Sequence, residues 1–244
     1  MPAPVAWPVD PLPVLEPGSW RVLAVDLTEH DHPAALREVL AGYAGTDPEA
    51  VRVEPAACVH CGEPHGKPHL AEPALDWLRF NVSHSGDLAL YAVAHGREIG
   101  VDVEAHRPGR RLAGIAERRF TPAEAEHLRS LPAGEHDPAF FRLWARKEAY
   151  LKATAEGLPG LLGSFDALTP SLPEGWELAD LDAGPGHSAA VVVAAPGYRP
   201  GGWRATKPLT DRGAACQREP RGPLRPLVSK RTPATTMNMW PGFE

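Results

Sequence analysis

The run Ile99-Gly100-Val101-Asp102-Val103-Glu104 constrains this chain more than any other stretch. Apolar residues alternate there with two carboxylates, which predicts a β-strand with Val101 and Val103 turned to a core and Asp102 and Glu104 sharing the opposite face. Side chains two apart on a strand are separated by roughly 6.6 Å along the backbone. Two carboxylates held that close repel, so the pair calls for a cation or a proton between them. Hard oxygen ligands on a short arc suit Mg²⁺, which typically takes one or two carboxylates together with substrate phosphates.

A second stretch, Trp144-Ala145-Arg146-Lys147-Glu148-Ala149-Tyr150-Leu151-Lys152, reads as a helix. Asp137 and Pro138 are the expected N-cap and first helical residue, and Gly157 the expected stop. Steps of three and four put Phe141, Trp144, Glu148, Leu151 and Lys152 on one face. Glu followed by Lys at i+4 is ordinarily a solvated pair. Here it lies on the face that Phe141 and Trp144 should bury, where an acid and a base are expensive unless something charged meets them. A third metal ligand at Glu148 beside a phosphate-binding Lys152 would meet that requirement.

The two stretches together resemble the two-part signature of the 4′-phosphopantetheinyl transferases, and more closely that of the larger, monomeric surfactin-synthetase-activating type. The resemblance extends over roughly residues 35–200. It implies an α+β fold of two similar α/β halves related by pseudo-twofold symmetry, each a small, mainly antiparallel sheet packed with helices. The halves would be 1–95, with coenzyme A-binding loops, and 96–204, with the metal site and the carrier-protein docking surface. The implied reaction moves the 4′-phosphopantetheine arm of coenzyme A to a serine of an apo acyl or peptidyl carrier protein, with Mg²⁺, releasing 3′,5′-ADP. Asp102, Glu104 and Glu148 would hold the metal, and Asp102, Glu148 and Lys152 would be catalytic and touch coenzyme A. The alternative within the resemblance is a degenerate relative that binds coenzyme A or a carrier protein without turnover.

Two further stretches enter through the same resemblance. Cys58-Val59-His60-Cys61-Gly62-Glu63-Pro64-His65-Gly66-Lys67-Pro68 invites a zinc reading on its Cys-x-x-Cys. A structural zinc site wants four ligands, however, and no second Cys-x-x-Cys or His-x-x-x-His follows. The expectation is a loop in which Gly66 and Pro68 fix the backbone around Lys67, an arrangement suited to cradling an anion. The resemblance makes His65, Gly66, Lys67 and Pro68 coenzyme A contacts and leaves the cysteines structural; a zinc-dependent interaction module is the competing view. Asn81-Val82-Ser83-His84-Ser85 reads as a strand entering a polar turn. The resemblance implies that Ser83 and His84 contact a phosphate of coenzyme A. One departure stands out: His32-Pro33 occupies the place where an arginine of a phosphate clamp is expected.

The remaining elements are routine. Strands are expected at Trp20–Leu27, Val51–Val53, Leu88–Ala94, around Trp176–Ala179 and at Ser188–Ala195, with helices at Pro33–Tyr43 and Leu112–Arg119. Ile99–Glu104 is expected to return as a hairpin on Leu88–Ala94. Thr121-Pro122-Ala123-Glu124 is a capping box, which accounts for Glu124 without a catalytic role. Arg107, Arg110, Arg111, Arg118 and Arg119 form a basic run suited to an acidic carrier protein. From Arg204 onward eight Lys or Arg face three Asp or Glu, a net of +5 that leaves −11 on the first 203 residues. The acidic body argues against nucleic-acid binding, and 205–244 reads as a basic disordered tail. No apolar run reaches the roughly 18 residues of a membrane span, and no signal peptide is evident at the start. Three cysteines make no disulfide framework. A cytoplasmic monomer, with no membrane or nucleic-acid partner, is the resulting expectation.

Overall fold

The structure, a computed structural model, describes residues 1–59, 61–107, 112–156, 162–169 and 172–198. The expected tail at 205–244, together with Arg110, Arg111 and the helix stop at Gly157, lies outside the described residues. Alternating apolar residues build β1 (Val5–Trp7), β2 (Trp20–Asp26), β5 (Leu78–Ser85) and β6 (Leu88–His95), which pair in the order β1-β2-β6-β5. The short strands β3 (Val53–Pro55) and β4 (Pro68–Leu70) form a separate antiparallel ribbon. A three-stranded antiparallel sheet, in the order β7-β9-β8, comprises β7 (Ile99–Ala105), β8 (Trp176–Leu181) and β9 (His187–Ala194). The helices are α1 (His32–Ala44), α2 (Leu112–Arg119), α3 (Pro122–Ser130) and α4 (Ala133–Thr154).

Period-two patterning gives each sheet two buried faces, and the layers follow from it. One face of the four-stranded sheet, with Leu23, Val25, Phe80 and Tyr91, packs under α1 through Val39 and Leu40. Its other face meets the three-stranded sheet, Leu90, Ala92 and Ala94 lying against Ile99, Val101, Val103, Val191 and Val193. Beyond that sheet, Ala190, Val192 and Ala194 pack on Phe141, Trp144, Ala149 and Ala153 of α4. The result is an α/β/β/α stack of mixed α+β class.

Two expectations need correction. Ile99–Ala105 does not return as a hairpin on β6; it pairs with β9 instead. Both edges of β6 are taken, by β2 and β5, so the turn at 96–98 carries the chain into the second sheet and β7 packs on β6 face to face. Helix α4 starts at Ala133 and contains Pro138, with Pro132 as its N-cap. The early turn is held by the Glu135 amide donating to the Pro132 carbonyl at 2.8 Å and by the His136 ring on the Leu131 carbonyl at 2.6 Å. Ala155, at φ 60°, ends the helix in the left-handed conformation. The capping box of α3 is present as read, the Thr121 hydroxyl and the Glu124 carboxylate each accepting the other's amide.

Gly100 decides how near α4 can come to β7. A Cβ there would overlap the Ala149 carbonyl oxygen and the Ala153 amide nitrogen, with the Ala153 Cα at 2.9 Å. Neither neighbour is a flexible side-chain end, so a methyl group forces helix and strand apart. Gly100→Ala is expected to lower stability by at least about 2 kcal/mol, although alanine ordinarily suits a strand interior better than glycine. Urea denaturation tests this; an unchanged midpoint would show that the contact is slack.

Candidate active site

Because Gly100, Asp102 and Glu104 alternate with the apolar face of β7, both carboxylates turn toward α4. Glu148 and Lys152, one turn apart, come from the helix side. All four are removed from bulk water: Asp102 is 3% and Glu148 7% exposed, and the Lys152 side chain 13%. The Lys152 ammonium donates to Asp102 Oδ1 at 2.6 Å and to the Ser83 hydroxyl at 3.1 Å. Ser83 donates its proton to the same Asp102 oxygen at 2.9 Å. Glu104 lies farther toward the strand end, with Oε2 3.5 Å from the Ser85 hydroxyl.

Two oxygens in this cluster stand out. Asp102 Oδ2 and Glu148 Oε1 are buried and make no hydrogen bond. Buried carboxylate oxygens left bare are costly. Burial is the main reason the Glu148 carboxyl is pushed up to about 8, with the Asp102 charge adding to it and Lys152 opposing. Glu104 is raised to about 7 by burial and then by Asp102. Burial also raises Asp102, against the pull of Lys152, while Lys152 is raised by Asp102 and Glu148 despite its own desolvation. Three hard carboxylates with two vacant oxygens fit a divalent cation such as Mg²⁺.

The Asn81-Ser83-Ser85 row has a role that a turn reading misses. All three lie in β5, which continues through Ser85 before the turn at Gly86-Asp87. The β7 amides of Val101, Val103 and Ala105 donate to Asn81 Oδ1 (2.9 Å), Ser83 Oγ (3.3 Å) and Ser85 Oγ (3.0 Å). Side chains thus stand in for a neighbouring strand along the open edge of β7. The single proton of Ser83 is already given to Asp102, so its hydroxyl orients the acidic strand. His84 points to the other face, its ring 5.3 Å from His32. His32 shares a 2.8 Å hydrogen bond with the Tyr91 hydroxyl. Burial and then the His84 charge hold His32 below 6.5, so it is no cationic substitute for an arginine at neutral pH.

The loop residues are distributed differently from the sequence expectation. Lys67 is 5% exposed, and its three donors go to Glu98 Oε2 (2.7 Å), the Ile99 carbonyl (2.8 Å) and the Ala153 carbonyl (3.4 Å). Its ammonium therefore holds protein oxygens together. Gly66 is required by packing, since a Cβ would stand 2.8 Å from the Ala56 and Ala57 carbonyl oxygens. His65 sits with its Nε2 3.1 Å from Cys61 Sγ. Pro68 begins β4 and, with Lys67, His69, Arg79, Phe80 and Glu98, lines a small depression.

Lys147, which the helical rotation already points away from the site, is fully buried on Glu124 at 2.9 Å and on the Leu162 and Phe165 carbonyls at 2.5 Å each. Glu124 also accepts the Ala167 amide at 2.7 Å. Arg146 grips both oxygens of Asp180, at 2.7 and 2.6 Å. These two anchors were not legible in the sequence beyond the capping box, because their partners lie far along the chain.

Residues 98–189 match the family profile of the 4′-phosphopantetheinyl transferase superfamily. The 4′-phosphopantetheinyl transferase HetI of Nostoc sp. is 42% identical over 175 residues, which covers 69% of this chain and 71% of that protein. A 4′-phosphopantetheinyl transferase of Bacillus subtilis is 32% identical over 160 residues, covering 62% of this chain and 69% of its own. Sfp of the same species is 30% identical over 144 residues, 55% of this chain and 62% of its own.

The raised carboxyls set a pH dependence. Both Glu104 and Glu148 keep their protons above the ordinary 4.5 in the folded chain. Over that interval the folded state binds more protons than the unfolded one, so stability falls as pH rises. The metal-free protein is expected to lose melting temperature between about pH 5 and about pH 8, and Mg²⁺ to restore more of it at the higher pH, because cation and protons compete. Glu148→Gln should flatten the slope. Thermal melts across this range with MgCl₂ and with EDTA read it directly; a Mg²⁺ effect equal at both ends would contradict the assignment.

Proposed function

The chain belongs to the 4′-phosphopantetheinyl transferase superfamily, and on that premise we propose that it transfers the phosphopantetheine arm of coenzyme A to a serine of apo acyl or peptidyl carrier proteins, releasing 3′,5′-ADP. The observation that carries the proposal is the pair of vacant buried oxygens, Asp102 Oδ2 and Glu148 Oε1, beside the Lys152 ammonium. That is a site short of a cation and poised next to a group that binds phosphate.

Asp102, Glu104 and Glu148 would hold Mg²⁺. When bound, the ion supplies neutralisation of the charge that builds on the pyrophosphate. The chain's own residues do the rest. Lys152 holds a phosphate oxygen and offsets the charge on the departing ADP, a positioning and electrostatic task typical of phosphoryl transfer. Asp102 and Ser83 hold that ammonium in place. Glu148, brought to its carboxylate form when a cation is bound beside it, would take the serine proton, directly or through an intervening water. The serine oxygen forms its bond to phosphorus, the bond from phosphorus to the ADP oxygen breaks, and the serine proton ends on a Glu148 carboxylate oxygen. Asp102, Glu148 and Lys152 are the catalytic residues of this proposal.

Coenzyme A contacts fall to Gly66, Pro68 and His84, with His65, Lys67 and Ser83 acting through the backbone and side chains they hold. Carrier-protein docking belongs to Arg107, Arg118 and Arg119; the last two are exposed at the C-terminal end of α2, where positive charge also suits the helix dipole. The two halves, 1–95 and 96–204, belong to the same proposal, α1 on its sheet corresponding to α4 on its own. It places the chain in the cytoplasm as a monomer, and no helix among the described residues is long and apolar enough to cross a membrane.

Incubation with an apo carrier protein, coenzyme A and Mg²⁺, followed by intact mass, tests the reaction. The pantetheinyl increment is expected with Mg²⁺ and not with EDTA. Glu148→Gln should lower turnover by about 10²- to 10⁴-fold, Lys152→Ala by about 10²-fold or more, and Asp102→Ala should abolish it with the fold intact by circular dichroism. Bound coenzyme A without transfer would point to a non-catalytic relative, and an active Asp102→Ala would refute the site.

A further inference from the structure

The loop between β3 and β4 brings together two thiols and an imidazole that take no part in the phosphoryl-transfer step. Cys58 Sγ, Cys61 Sγ and a His65 ring nitrogen all lie within 4.8 Å of one another. Neither cysteine is in a disulfide among the described residues; Cys58 is half-buried and Cys61 exposed. The donor set is two sulfurs and one imidazole, which selects a borderline-soft, tetrahedral ion over Mg²⁺.

The described residues of the loop are tied back on one another beside this trio. The Gly62 amide donates to the Cys58 carbonyl and the Cys58 amide to the Glu63 carbonyl, each at 2.8 Å. Gly62, at φ 77°, takes the left-handed turn that sends the chain back past Cys61. The His65 amide then donates to the Glu63 carbonyl at 2.8 Å, and its ring Nε2 lies 3.1 Å from Cys61 Sγ. The sequence argument against zinc noted histidines near the Cys-x-x-Cys but no second paired motif; the fold brings His65, four residues beyond Cys61, to the two sulfurs.

We propose that Cys58, Cys61 and His65 bind one Zn²⁺, with water as the fourth ligand on the exposed Cys61 side. Binding converts two thiols to thiolates and releases two protons, the imidazole coordinating as its neutral form. The ion closes the loop covalently in all but name and stiffens the approach to Gly66, Lys67 and Pro68. Lys67 in turn is bonded to Glu98, Ile99 and Ala153, so the zinc knuckle would steady one wall of the active site from outside it. The proposal stands independently of the transferase reading, because it concerns a different metal on different ligands.

Metal analysis of the full chain, expressed with zinc and purified under reducing conditions, tests it. One zinc per chain is expected in the wild type and in Cys216→Ser, and loss of most of it in Cys58→Ser, in Cys61→Ser and in His65→Ala. Cobalt replacement should give a thiolate-to-metal charge-transfer band in the first two proteins only. A second measurement needs no variant: alkylation by iodoacetamide, mapped by mass, should slow at least tenfold at Cys58 and Cys61 with zinc relative to EDTA, and not at Cys216. The proposal fails if the reduced wild type takes up no zinc and alkylates equally in both conditions. It fails equally if both cysteine variants retain the metal, or if Cys58 and Cys61 are found as a disulfide that binds no zinc once reduced.

Discussion

Contact between β7 and α4 at Gly100 is the constraint on which the rest of the site depends. A helix lying on a sheet ordinarily stands about 10 Å away, spaced by side chains from both surfaces. At Gly100 there is no side chain, and the helix backbone at Ala149 and Ala153 comes in where a Cβ would be. That approach is what lets the short arms of Asp102 and Glu148 share one buried volume. A normal spacing would leave Asp102 facing a gap and Glu148 facing solvent, and neither would have its raised affinity for protons or its call on a cation.

Burying so much charge is tolerable only because the surroundings are fixed by other polar bonds. Among the described residues no strand pairs with β7 on its β5 side, and three amides there would go unmet without side-chain partners. Asn81, Ser83 and Ser85 meet them at the strand's own period of two. The common offset of twenty residues in each pair makes β5 and β7 run the same way, so the ladder imitates a parallel sheet made with side chains. Ser83 does two things with one hydroxyl: it accepts from the Val103 amide and donates to Asp102. A strand amide and a site carboxylate are thereby set by the same atom.

The parts of this arrangement that sequence could reveal are those governed by local period. Strand alternation identified Asp102 and Glu104 as one face, and helical steps put Glu148 and Lys152 on the face of Phe141 and Trp144; the structure brings these four to one place. Period says nothing about which sheet a strand joins, and the hairpin expected for β7 failed because the edges of β6 were already used. Composition likewise made Ser83 and His84 look alike, whereas the pleat sends them to opposite faces. Lys67 shows the same limit: a lysine beside Gly66 and Pro68 looks like an exposed anion ligand until Glu98, thirty-one residues away, and two carbonyls are seen to claim it.

That claim on Lys67 has a structural logic of its own. Desolvation pulls its ammonium toward neutrality, and Glu98 opposes the loss, while Arg79 braces the other oxygen of Glu98 at 3.1 Å. One ammonium then ties the β3–β4 loop, the first residue of β7 and the last turn of α4 to a single point. Three residues along the same strand, Asp102 is held to the same turn of the helix by Lys152, with Ser83 bonded to both. Two buried lysines thus tie the strand to the last turn of the helix, at Ile99 and at Asp102, on either side of Gly100 along the strand. The first tie joins only groups of the protein itself; on the proposed reading the second is the one that substrate phosphates would meet, with Gly100 fixing the spacing of strand and helix between the two.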